Sequence, residues 1–316
     1  MSIATASTSA QGHRLRVLLV GKHELACRLL ALLRDEPRVQ VGIVPARSEV
    51  ARDGRETLTG ALRAGDQVVP DDGRIALADA VRTFRPAVVV SAGFDRIVKA
   101  EVLDAIPNPV NIHFGCLPRY RGSFSIPWAI MNDDDVIGIT VHRMAPSIDD
   151  GPIHLQATIP NDRGSSCRVL YLQAVERGAA LFRQYLDLVL TTAAVPAIPQ
   201  DELAATYYPP EYPGDFRVPW KQMTTYVRNY IRAASFVPLP GAHTSVDDTA
   251  FEIEWPVDER FGDPRLAPGT IVSCDGRDWI ATLNGLIGPR LVRHAGGEEA
   301  FANFVDRRRL AGKRCT

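Results

Sequence analysis

No apolar run in this chain reaches the roughly eighteen residues that a membrane-spanning helix needs. Cysteine is scarce. The five (Cys27, Cys116, Cys167, Cys274, Cys315) are odd in number, widely spaced and never arranged as CxxC. That argues against a disulfide framework and a zinc site, and for reduced thiols in a cytoplasm, so no metal is expected. Neither sign of charge dominates: 36 Lys and Arg stand against 37 Asp and Glu, giving a formal net charge of -1. No global pull toward nucleic acid or an anionic membrane follows. There is no GxGxxG. Gly21 with Ala26 does not make a dinucleotide-binding turn. Residues 1–13 lack a positive segment and an apolar core, which predicts a disordered tail rather than a signal peptide. No internal repeat is present, and nothing in the sequence specifies an oligomer.

What is present suits two globular domains: 316 residues, 46% hydrophobic and 23% charged. Residues 16–21 (RVLLVG) read as a buried strand, 24–36 as an amphipathic helix and 39–44 as a second strand. A helical stretch near 75–84 leads into a strand at 87–91, and 109–113 reads as another. Strands alternating with helices predict a parallel sheet covered on both faces, with ligands beyond the carboxyl ends of the strands. After Gly138 the pattern changes. Two strands, near 139–143 and 153–156, flank a loop that carries Asp149. A helix follows from Ser166, its cap, to about Leu190. Residues 191–218 are rich in proline and tyrosine and read as an extended linker over a surface. Beyond it come a helix at 220–234 and strand-like runs near 250–255, 270–273, 279–283 and 290–293.

Asn111 and His113 lie two apart at a predicted strand end, so both side chains leave the same face. Asp149 follows thirty-six residues after the histidine. An amide can donate a hydrogen bond to a developing oxyanion. An imidazole kept protonated by a nearby carboxylate can donate another, and the carboxylate can help take the proton of an attacking amine. His142 and His154 sit on predicted strands and are read as structural. Tyr207, Tyr208 and Tyr212 are read as packing the linker.

The run NIHFGCLPRYRG (111–122), then WAI (128–130), GITVHRM (138–144) and IDDGPI (148–153), resembles the N10-formyltetrahydrofolate-dependent formyltransferases. The likeness is densest over 87–160. It reaches into VPWKQMTTYVRNYIRAASFVPLPGAHT (218–244), which is similar to the helix and hinge of longer members, methionyl-tRNA and sugar formyltransferases among them. It implies an α/β, doubly wound, mostly parallel, Rossmann-like catalytic domain over 14–190 and a smaller β-rich, OB-like domain over 219–316. It also implies formyl transfer from N10-formyltetrahydrofolate without a metal. In the resemblance Asn111 is the transition-state stabiliser, His113 the general acid-base group and Asp149 the carboxylate that raises the pKa of His113. The donor would lie against Phe94, Asp95, Arg96 and Ile97 after the 87–91 strand. It would also touch the turn Ala145, Pro146, Ser147 and Ile148, with Gly115, Cys116, Leu117 and Pro118 lining the floor.

The sequence departs from the family pattern in places that bear on the acceptor. Gly115 stands where serine is usual, and Asp150, expected to be turn- or solvent-bound, stands where threonine is usual. Ser123 replaces an arginine of the sugar enzymes. The segment PARSEVARDGRETLTG lacks the basic, glycine-rich loop of the transfer-RNA enzymes. From residue 201 onward there are 14 Lys and Arg against 16 Asp and Glu, and the cluster Arg307, Arg308, Arg309, Lys313, Arg314 reads as a solvated helix face. The expected acceptor is therefore a small amine, such as an amino sugar, its nucleotide or an amino-acid derivative. Methionyl-tRNA is the alternative, with donor hydrolysis or an idle folate-binding protein behind it.

Overall fold

Four consecutive apolar residues, Val17 to Val20, are fully buried because the strand they form is covered on both sides. Val17 and Leu19 join the core under one face of the sheet, and Leu18 and Val20 join a separate core under the other. The computed structural model describes residues 14–46, 55–69, 76–94, 96, 98–192, 194–236, 240–262 and 265–316. Residues 1–13, Asp95 and Ile97, on which sequence expectations fall, lie outside it.

In chain order the first unit runs β1 (Leu15–Gly21), α1 (His23–Arg34), β2 (Val39–Pro45), β3 (Gln67–Val68), α2 (Ala76–Phe84), β4 (Val88–Ala92), α3 (Ala100–Leu103) and β5 (Asn108–His113). It continues with β6 (Arg121–Gly122), α4 (Ser125–Met131), β7 (Val136–Arg143), β8 (Ile153–Pro160) and α5 (Cys167–Thr191). Seven strands form one sheet in the order β3-β2-β1-β4-β5-β7-β8. The first five are parallel, while β7 and β8 are antiparallel to their neighbours. Helices α1 and α5 pack together and α5 covers β7 and β8, while α2 packs on β1 and β2. Strand order reverses at β1, which neighbours both β2 and β4, and such a switch point opens a crevice beyond the strand ends. The serine cap of α5 is in place: the Val169 N–H donates to Ser166 Oγ at 3.3 Å.

The segment after α5 is more than a spacer. It holds β9 (Tyr207–Tyr208), which pairs in parallel with β6, and an isolated bridge between Ile153 and Ile198. Then come α6 (Thr224–Ala234), β10 (Ala242–Val246), β11 (Thr249–Ile253), β12 (Val257–Phe261), β13 (Ile271–Cys274) and β14 (Arg277–Ala281). The chain ends with β15 (Gly285–Pro289), β16 (Leu291–His294), β17 (Gly297–Ala300) and α7 (Phe301–Arg308). These strands make two antiparallel sheets, β10-β11-β16-β17 and β12-β15-β14-β13. Helix α6 joins the halves. It packs on α4, and its fully buried Arg232 donates to Asp162 O at 2.9 Å and Asn161 Oδ1 at 3.0 Å. Among the described residues no helix is long and apolar enough to cross a membrane.

Candidate active site

Val110 and Ile112 point into the core shared with α5, so alternation turns Asn111 and His113 to the opposite face of β5. The register then brings three strands to one level. Ser91 of β4 and His142 of β7 are the lateral partners of Asn111, and Thr140 is opposite His113. The turn after β7 returns Asp149 to this edge in a left-handed conformation, φ +53°, uncommon for a residue with a Cβ. Tyr120, Gly122 and Phe124 nearby also have positive φ, at +68°, +93° and +55°. Such strain persists only where the surroundings fix it, and it clusters at functional sites.

The three side chains singled out in the sequence converge. Asn111 Nδ2 is 3.3 Å from Asp149 Oδ1, and His113 Nδ1 is 3.4 Å from Asp149 Oδ2. The Gly122 N–H donates to Asp149 Oδ2 at 2.9 Å. The other ring nitrogen of His113, Nε2, faces the Tyr120 carbonyl at 2.6 Å. A carbonyl only accepts, so Nε2 is assigned a proton. Burial would raise the carboxyl pKa of Asp149. The two imidazoles and the Gly122 N–H outweigh it and hold the group well below the usual carboxylate range.

His113 departs from expectation. Burial pushes its pKa down, and this outweighs the opposing pull of Asp149; His142 adds to the lowering. The carboxylate acts in the expected direction, but the histidine as a whole sits below its ordinary value.

A cavity of about 510 Å³ opens onto this edge, within the range of small-molecule sites. Asn111, His113, His142 and Asp149 lie on its wall, as do Phe94, Arg96, Ala145, Ser147 and Ile148 from the expected donor loops. Leu25, Val98, Phe114 and Met144 add apolar surface. The expected floor is different. Gly115, Cys116, Leu117 and Pro118 do not line the cavity among the described residues, nor does Pro146. Gly115 instead lies against the Nε2 edge of His113, where a Cβ would come within 2.5 Å of that nitrogen and 2.9 Å of the Tyr120 oxygen. Its carbonyl accepts from Thr140 Oγ1 at 2.7 Å, while the Leu117 carbonyl accepts from Gln156 Nε2 at 2.9 Å. The loop is thus bound down behind the histidine, with Cys116 packed on Gly138.

Sequence reasoning missed several wall residues. His142, read as structural, donates from Nδ1 to the Arg143 carbonyl at 3.0 Å, which leaves Nε2 to accept from Asn111 Nδ2 at 3.2 Å. A signal existed: in an antiparallel pair His142 is the direct partner of Asn111. Tyr207, read as linker packing, is 53% exposed and lines the cavity mouth with Pro210. Lys22 and His23 reach the wall from the β1–α1 junction, at the switch point. Asp150 stays off the wall; Arg121, whose guanidinium is raised chiefly by its hydrogen bonds to Glu202, also feels the Asp150 charge. His154 lies elsewhere, bonded to the Pro196 carbonyl and packed on Tyr185.

Comparison with known proteins adds to this geometry. Residues 61–184 match the sequence model of the family described as formyl transferase. The methionyl-tRNA formyltransferase of Citrifermentans bemidjiense is 28% identical over 280 residues, covering 86% of each chain. That of Moorella thermoacetica is 37% identical over 165 residues, about half (52%) of each chain. Among solved structures, an N-formyltransferase from Helicobacter canadensis in complex with folinic acid and dTDP-3-aminofucose superposes with a TM-score of 0.68 at 22% identity. It covers 87% of this chain and 99% of that one. HypX from Aquifex aeolicus in complex with tetrahydrofolic acid gives 0.64 at 18% identity, covering 93% and 47%. At such identities these two likenesses carry the fold.

Proposed function

We propose that this chain, whose residues 61–184 match the family described as formyl transferase, transfers the formyl group of N10-formyltetrahydrofolate to the amine of methionyl-tRNA. The observation that carries formyl transfer is the meeting of Asn111, His113 and Asp149 at the wall of the 510 Å³ cavity. The cavity suits the donor, since Phe94, Val98, Met144 and Ile148 offer apolar surface to a flat heterocycle. Bound there, the donor supplies the one-carbon unit.

The chain's own groups divide the remaining work. Asn111 spends both amide hydrogens at rest on Asp149 and His142, at 3.3 and 3.2 Å. Turning one toward the oxygen that gains negative charge exchanges a long bond for a charge-assisted one. His113, in its neutral form, takes the proton of the attacking amine at Nδ1. That proton then lies against Asp149 Oδ2, which stabilises the imidazolium as it forms, while Tyr120 O and the Gly122 N–H hold ring and carboxylate in register. Collapse of the tetrahedral adduct breaks the bond between the formyl carbon and N10, and the imidazolium returns the proton to N10 as tetrahydrofolate leaves.

The acceptor reverses the order expected from the sequence, where a small amine came first. Curated relatives that align over 85–92% of their own length are methionyl-tRNA formyltransferases. A second reading, transfer to an amino sugar or its nucleotide, is favoured by the C-terminal charges. Arg307 and Arg308 both pair with Glu299, and Lys313 pairs with Asp247, so much of the basic cluster is neutralised within the chain. The deciding assay offers the purified protein formyl donor with methionyl-tRNA or with a panel of amino sugar nucleotides, and scores formylated product. Product on the transfer RNA, with affinity falling steeply as salt rises, supports the first reading. Product only on small amines replaces it with the second. Release of tetrahydrofolate without any acceptor rejects transfer altogether.

A further inference from the structure

Asp149 is held from two sides, and only one of them lies in the motifs that drew attention to it. Its carboxylate accepts from the Gly122 N–H at 2.9 Å. Its backbone is held from a distant segment. The Gln200 side-chain amide donates to the Asp149 carbonyl at 2.7 Å and to the Gly151 carbonyl at 2.8 Å, one hydrogen to each. These two carbonyls flank the bend that places Asp149 at φ +53°. The Gln200 oxygen is itself fixed, accepting from Arg121 Nε at 3.1 Å and Nη2 at 2.9 Å. Arg121 is buried, with only 8% of its surface exposed, and its outer nitrogens grip Glu202 at 2.9 and 2.7 Å.

A ring therefore closes. Arg121 leads covalently to Gly122, Gly122 binds the Asp149 carboxylate, the Asp149 carbonyl binds Gln200, and Gln200 returns to Arg121. The segment that supplies Gln200 is laid against the same loop by backbone bonds. The Arg121 N–H donates to Thr206 O at 2.9 Å and the Ser123 N–H to Tyr208 O at 3.0 Å. Gly122 is needed for that approach, since a Cβ there would sit 2.1 Å from the Tyr208 oxygen.

We propose that Gln200 is a positioning residue for formyl transfer: it locks the left-handed bend that aims the Asp149 carboxylate at His113. The inference rests on the reading of Asp149 as a working part of the site. Gln200 touches neither cavity nor reacting atoms and acts only through Asp149. A residue in this role sets kcat and leaves donor affinity alone, because a carboxylate displaced by a fraction of an ångström still leaves the pocket wall in place.

Two variants of Gln200 and one neighbour test this. Gln200→Glu keeps an acceptor for Arg121 but loses both donated hydrogens, and Gln200→Met loses them without adding charge. Asp201→Ala removes the cap that accepts from the Leu203 N–H at 3.0 Å and leaves Asp149 untouched. Each folded variant is assayed for kcat and donor KM, and its His113 titration is followed by histidine NMR, which needs no turnover. The groups facing that ring are Asp149, His142, the Asn111 amide and the Tyr120 carbonyl, with Arg121 beyond Asp149. The expected result for both Gln200 variants is kcat lower by about tenfold, unchanged donor KM, and a His113 midpoint moved to lower pH as the carboxylate loosens. Asp201→Ala keeps wild-type values. Wild-type kcat and midpoint in either Gln200 variant overturn the proposal, as does an equal loss in Asp201→Ala, which would mark general packing of the segment. If the wild type forms no formylated product the functional reading fails, and the midpoint alone still decides the role of Gln200.

Discussion

The two halves of this molecule handle charge in opposite ways. In the C-terminal sheets ionic groups are neutralised mainly by arginines: Asp258 with Arg277 and Arg290, Glu254 with Arg293, Glu299 with Arg307, Arg308 and His294. At the edge of the N-terminal sheet, by contrast, Asp149, His113 and His142 are drawn together under cover, and the surroundings shift Asp149 and His113. Exposed pairs contribute little to stability and do no chemistry. A buried cluster is costly to assemble, and perturbed ionisation in a cleft marks a functional site. The comparison teaches that the carboxylate and two histidines gathered at a cavity wall belong to the N-terminal half.

Four measurements sharpen or break that contrast. The largest effect is expected from Asn111→Ala, which removes the donor aimed at developing charge. Its kcat should fall roughly a hundredfold or more while the fold survives, and near-wild-type turnover would refute the assignment. Next comes pH. Since burial lowers the His113 pKa, the working neutral form persists above that value, and activity should drop about tenfold per unit as pH falls through it. The limb of kcat should lie below 6.5, the ordinary value; a limb above it would mean the imidazole works protonated. Third, Arg232→Ala removes two bonds that tie α6 to the N-terminal half. Denaturant unfolding should show a loss on the order of 3 kcal/mol with kcat retained; a kcat loss as large as that of Asn111→Ala would erase the division between halves. The smallest change belongs to Arg290→Ala, where an exposed pair with Asp258 is lost. Stability should move by less than about 1 kcal/mol, and a larger drop would show that this surface does more than neutralise itself.

The central strands of the first sheet were legible because they are buried on both faces and appear as unbroken apolar runs, such as Val17 to Val20 and Val88 to Val90, whereas the two-residue, exposed β3 was not read. The C-terminal strands were only partly legible. The run Val257–Phe261 (VDERF) has one buried residue in five, and Gly285–Pro289 (GLIGP) carries glycine and proline, so neither shows a strand's pattern. The trio Asn111, His113 and Asp149 was visible as a motif. Its surroundings were not, since the Tyr120 carbonyl and the Gly122 N–H act through backbone, which any sequence possesses. Residues 198–208 looked like a tether because what holds them is a scatter of side chains, Gln200, Glu202, Thr206 and Tyr208, and a few main-chain bonds, none of which has a period. The position of Gly115–Pro118 was misjudged because a neighbour in sequence of a wall residue need not itself reach the wall.

The bend that carries Asp149 is finished by a glutamine fifty-one positions further along the chain. Every strand of the large sheet, and the long helix that covers it, leaves the ribosome before that glutamine does. A nascent polypeptide ending at residue 191 would therefore carry the sequence of every strand of that sheet and still lack the side chain that clasps the bend.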